Sequence, residues 1–151
     1  MPTGDGTVIV AVDASDAALE AARAGLAIVH PEAEALIVTV VEPSDGSLPV
    51  SGFAGPAMSP QDEQAVNEAR AAAASKHLEA AATALGLATG QTLLLHGVPG
   101  MAICDIAAQR SARAIVIGSR GHGRIKRVLL GSVSDYVVRN APCPVVITAP
   151  T

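Results

Sequence analysis

Gly118-x2-Gly121-x9-Gly131-Ser132 is the most chemically suggestive spacing in the chain, and the stretch around it, GSRGHGRIKRVLLGS, also carries Arg120, Arg124, Lys126 and Arg127. Glycine lets a backbone approach a ligand closely and adopt positive φ, so that consecutive N–H groups form an anion nest. Gly131-Ser132 opens a predicted helix, where unpaired N–H groups and the helix dipole favour a phosphate. Ser132 and Ser134 add hydroxyl donors. Six of the ten basic residues fall between Arg110 and Arg127, and no Asp or Glu occurs from 106 to 134. An anion, above all a polyphosphate, is the simplest ligand for this pattern. The bland alternative is a set of ordinary turn and capping glycines beside a solvated cationic face.

Other phosphate signatures are absent. GxxxxGK[ST] does not occur, and a dinucleotide fingerprint would place its glycines after the first strand, where this chain has DASD. Gly121 and Gly123 begin a GxG, but Lys126 occupies the third glycine position. Hydrolase chemistry has no visible machinery either, neither a GxSxG elbow nor paired carboxylates. His122 is the one local candidate for base chemistry, and no carboxylate lies near it in sequence. His30, His77 and His96 show no metal-ligand spacing.

The elements that must hold this stretch follow from periodicity. TVIVAVD (7–13), ALIVTVVE (35–42), QTLLLH (91–96), RAIVIGS (113–119) and PVVITAP (144–150) read as strands, mostly β-branched runs of the kind buried on both faces. Helices are predicted over 15–30, with Ser15 or Asp16 as N-cap, and over 61–85, closed by Gly86. Two more cover 101–111 and 132–140, and the Pro/Gly-rich segment 43–60 is a long connection. Strands alternating with helices predict an α/β fold with a parallel sheet, one domain over 1–151; among the doubly wound orders we take 3-2-1-4-5, a three-layer sandwich on a five-stranded sheet. Ligands of such sheets bind outside the carboxyl ends of the strands where the winding reverses. Those are the first and fourth strands, which end near Asp13 and Gly118.

Composition narrows the function classes. Half of the 151 residues are apolar, yet Phe53 and Tyr136 are the only aromatics, so the core is expected from Val, Ile, Leu and Ala. Net charge is -4 and the isoelectric point is near 5.4, which with two aromatics argues against nucleic-acid binding. The first apolar run stops at Asp13, too short for a signal peptide or a membrane span. Cys104 and Cys143 lack CxxC spacing and read as reduced thiols, Cys104 on a buried helix face. A cytoplasmic protein without membrane insertion is expected.

The glycine spacing, together with VIVAVDASDAALEAA, LIVTVVEP, GVPGMAICDIA and GSVSDYVVRNAPCPVVITAP, resembles the universal stress protein A family, in its ATP-binding branch. The match covers most of the chain and is weakest over 43–90. The resemblance implies a Rossmann-like domain of the adenine nucleotide alpha hydrolase type, usually a homodimer, here through the C-terminal strand. It implies ATP as ligand, with Mg2+ or Mn2+ carried by the phosphates, and a regulatory role in stress physiology toward an unnamed protein partner. Residue by residue, Asp13 matches the aspartate at adenine or ribose, with Ala11 at the same strand end. Val40 and Ile117 match the base pocket, and Gly118, Gly121, Gly131, Ser132, Val133 and Ser134 match the phosphate and ribose loop. Ala11 stands where some members have proline or glycine. The alternatives are a slow ATPase or phosphotransferase, and a binder of another adenine nucleotide such as cyclic AMP.

Overall fold

In the computed structural model, residues 6–29, 34–43, 59–87, 91–119 and 130–149 are described. Chain order is β1 (Val8–Ala11), α1 (Asp16–Ile28), β2 (Ala35–Val41), α2 (Pro60–Ala84), β3 (Thr92–His96), α3 (Pro99–Gln109), β4 (Ala114–Gly118), α4 (Ser132–Asn140) and β5 (Val145–Thr148). The strands form one sheet of order β3-β2-β1-β4-β5, with all four pairings parallel. The predicted fold class and strand order hold.

The β-branched runs form strands because both of their faces are covered. Val8, Ile9 and Val10 of β1 and Ile115 and Val116 of β4 are wholly inaccessible. Alternation then divides the core in two. Ile9, Leu36, Val38, Ile115 and Ile117 pack beneath Ile103, Cys104, Ile106 and Ala107 of α3 and Val137 of α4. Val8, Val10, Ile37 and Val116 pack beneath Ala18 and Ala22 of α1 and Leu78 and Ala82 of α2. This is the three-layer arrangement that parallel strands require.

Small residues set the layer spacing. A Cβ at Gly25 of α1 would lie 2.2 Å from Val116 Cγ1, so that helix sits directly on β4. A Cβ at Gly100 of α3 would meet the ring of Tyr136 of α4 at 2.7 Å, which lets the two helices touch.

Helix ends follow the cap chemistry. Ser15, one of the two predicted caps, caps α1: its side chain accepts from Ala18 N at 3.1 Å. Ser59 caps α2 in the same way, accepting from Asp62 N at 3.2 Å, and Gly86 closes that helix at φ +71. Helix α3 begins at Pro99 rather than 101, because proline is suited to the first helical position, where no N–H is required. The connection 43–60 falls mostly on 44–58, outside the described residues.

Candidate functional site

The two expected base-pocket residues, Val40 and Ile117, share one face at the carboxyl edge of the sheet with Ala11. Ala11 is the register partner of Ile117 on β4 and of Val38 on β2, and Val40 lies two residues beyond Val38. Ala11, Val40 and Ile117 all belong to the α3–α4 side of the sheet, so they form a continuous apolar floor across β4, β1 and β2. Leu95, the partner of Val40 on β3, extends that floor. Leu95 was not among the expected residues, since its place on the floor comes from its register with Val40.

Asp13 stands at the exit of β1 and is half-buried. Its Oδ1 accepts a hydrogen bond from Ser15 N at 2.9 Å and another from Ser15 Oγ. Thr39 Oγ1 donates to Val12 O at 2.8 Å and Val12 N donates to Val38 O at 3.0 Å, so the exit of β1 is pinned to β2.

Gly118 ends β4, and the chain returns at Gly131. Gly121, His122, Arg120, Arg124, Lys126 and Arg127 lie outside the described residues. The two ends of that excursion are tied. Gly131 N donates to Ser119 O at 2.8 Å, and Ser119 N donates to Thr148 O of β5 at 2.8 Å. Ser134 Oγ lies 3.1 Å from Ser119 O and 3.0 Å from Gly131 O. Ser134 is 2% exposed, so its hydroxyl fastens this neck from inside, leaving its backbone N–H at the helix end. Ser119 takes part in three of these four bonds, and no sequence spacing pointed to it.

The N-terminus of α4 differs chemically from those of α1 and α2. Its N-cap is Gly131, with φ -64 and ψ 162 and no side-chain cap hydrogen bond. The first intrahelical bond is from Asp135 N to Gly131 O at 2.9 Å, so the N–H groups of Ser132, Val133 and Ser134 have no partner within the helix. Ser132 is exposed, and Val133 leans on the core beside the floor. The expectation of positive φ does not apply at Gly131, whose backbone is extended. Its contribution is the missing side chain. Asp135, the acid in the first turn, is held 2.9 Å from Arg139 Nε, which offsets its charge.

Among the described residues, no group of three or more His, Cys, Asp or Glu is placed to hold a metal, and no helix is long and apolar enough to cross a membrane. Cys104 and Cys143 are free. Burial, and then the nearby Asp105, raises the Cys104 thiol above its ordinary range. Burial, followed by Cys104, does the same for Cys143. Both therefore favour the unreactive protonated form.

The profile of the universal stress protein family matches residues 6–149. The chain belongs to that family. A universal stress protein from Thermus aquaticus is 36% identical over 146 residues, covering 93% of this chain and 96% of its own. One from Methanocaldococcus jannaschii is 31% identical over 146 residues, covering 93% and 79%. Among solved structures, universal stress protein UspA from Lactobacillus plantarum superposes with a TM-score of 0.73 at 28% identity, covering 95% of this chain and 97% of that one. A universal stress protein described as in complex with cAMP gives a TM-score of 0.64 at 27% identity, covering 97% and 98%. The same architecture thus accommodates an adenine nucleotide in at least one relative of this universal stress protein.

Proposed function

We propose that this universal stress protein binds ATP at the carboxyl edge of β1 and β4 and acts as a nucleotide-dependent regulatory switch. The observation that carries this reading is the N-terminus of α4. Its first three amides have no partner within the helix or, among the described residues, in a side-chain cap, and it lies beside the apolar floor of Ala11, Val40 and Ile117. Adenine would lie on the floor, with Asp13 at the nucleoside. The phosphates would be held by the amides of Ser132, Val133 and Ser134, the Ser132 hydroxyl, and the loop of Gly118 and Gly121 with its cations. Mg2+ or Mn2+ would travel with the phosphates. A second adenine nucleotide remains a distinct reading, favoured by the relative in complex with cAMP. A single phosphate would leave most of the cationic loop without a partner, which ranks ATP first.

Turnover is expected to be slow, so that the bound state itself carries the signal in the cytoplasm toward a protein partner. Fast phosphoryl transfer needs a positioned base or water-orienting group and a metal held by protein ligands. The stretch from 106 to 134 supplies no carboxylate. Single-turnover assays with radiolabelled ATP should give phosphate release far below the ~10 s⁻¹ typical of enzymes, and unchanged in His122→Ala. Release within seconds that is lost in His122→Ala would instead make the protein an enzyme.

A homodimer through β5 belongs to the same proposal. β5 is an edge strand. The carbonyls of Pro144, just before the strand, and of Thr148 accept from Ile115 N at 2.9 Å and Ser119 N at 2.8 Å. In a parallel ladder, alternate residues then face β4, so the N–H groups of Val145 and Ile147 point outward, free to pair with a second copy. Val146 packs against the α1–α2 side of the core, so a charge there would disturb folding along with assembly. Val145→Pro removes one outward donor at the start of the strand, where proline is tolerated. Light scattering at micromolar concentration should give twice the 15.1 kDa chain mass for wild type and the single mass for the variant. A wild-type species of 15.1 kDa alone would contradict the dimer.

A further inference from the structure

We infer that Ser15 is a positioning residue for the Asp13 carboxylate, aligning it for ligand before any ligand arrives. The inference rests on the nucleotide reading above and adds to it a residue with a defined task. Two donors from one residue, the Ser15 N–H at 2.9 Å and the Ser15 hydroxyl, converge on the same oxygen, Asp13 Oδ1. A carboxylate bonded twice through one oxygen has its plane fixed, which directs Oδ2 to one side. The Ser15 oxygen in turn accepts from Ala18 N at 3.1 Å, so the donor is itself anchored to the first turn of α1. Ala18 is 6% exposed and packed into the core, which gives the chain of bonds a rigid end. Asp13 stands on a connection only a few residues long, and a group on such a segment holds its aim only when a second layer of bonds supports it.

A plain helix cap would also place a serine here, so the test must separate the two tasks. Glycine is a fair N-cap, only slightly weaker than serine. Ser15→Gly therefore keeps α1 and the 15 N–H but deletes the hydroxyl that aims Asp13. Ser15→Thr keeps both functions. Titration calorimetry with ATP should show about tenfold weaker binding for Ser15→Gly, because ATP must then immobilise a carboxylate that is no longer aligned beforehand, and near wild-type binding for Ser15→Thr. Thermal melting of the ligand-free proteins should be nearly the same. In an Asp13→Ala background, Ser15→Gly should weaken binding no further, because its effect passes through Asp13. Wild-type affinity in Ser15→Gly, or an equal loss in the Asp13→Ala background, would overturn the inference while leaving ATP binding intact. A wild type that binds no adenine nucleotide in the same calorimeter would overturn the nucleotide reading and this inference with it.

Discussion

Gly131→Asp is expected to abolish ATP binding while leaving the ligand-free protein as stable as wild type or slightly more so. The two effects have opposite signs for one physical reason. The N-cap backbone at φ -64 and ψ 162 suits any residue, so the substitution introduces no backbone strain. An aspartate side chain there would accept from the unpaired amides of α4 and complement its dipole, contributing a few tenths to about 1 kcal/mol. Those amides are the ones assigned to phosphate, and the new charge repels what it displaces. Wild type in ATP at 100 times Kd should gain ~2.7 kcal/mol, or about 5–10 °C in melting temperature. Gly131→Asp should lose that gain entirely. A variant that keeps it would place the phosphates elsewhere.

The positions of these residues were legible in sequence to different degrees. The five strands and four helices were readable because β-branched runs and alanine-rich periodic segments differ so sharply, and because Ser15, Gly86 and Gly131 mark element ends. The start of α3 was missed by two residues, since Pro99-Gly100 looks like a turn until proline is seen at the first helical position. The glycine spacing nominated Gly118, Gly121, Gly131 and Ser132 as one phosphate site; the structure ties Gly131 to Ser119, next to Gly118, and Gly121 lies outside the described residues. The spacing did not reveal that Ser134 would face inward, because burial of a hydroxyl depends on what packs above it: here the neck formed by Ser119 and Gly131. Leu95 and Ser119 were invisible for a related reason. Their roles come from sheet register and from bonds between residues far apart in the chain.

The second large effect is on stability. Gly25→Ala should destabilise the protein by about 2–3 kcal/mol, although alanine is the better helix former by roughly 1 kcal/mol. The added methyl would lie 2.2 Å from Val116 Cγ1, well inside van der Waals contact, and Val116 is wholly buried beneath α1. The helix or the strand must move, and close-packed interiors resist both. Melting should fall by about 5–10 °C. Val116→Ala alone should also destabilise, through the cavity it leaves, but the double variant should be more stable than the sum of the single losses implies, by 1 kcal/mol or more. Additive losses would mean that α1 does not rest on β4 as described. The site at the carboxyl edge should be affected little, because Gly25 lies near the far end of α1.

The central claim, that the carboxyl edge of β1 and β4 reads the phosphates of an adenine nucleotide, is tested most directly by titration calorimetry of protein stripped of small molecules. ATP, cyclic AMP and adenosine should be compared in parallel at low and at high salt. One ATP site per chain is expected, with weaker binding of cyclic AMP and weaker binding still of adenosine. The advantage of ATP should shrink as salt screens the cationic loop. Adenosine binding as tightly as ATP, or no heat from any of the three, would contradict that claim.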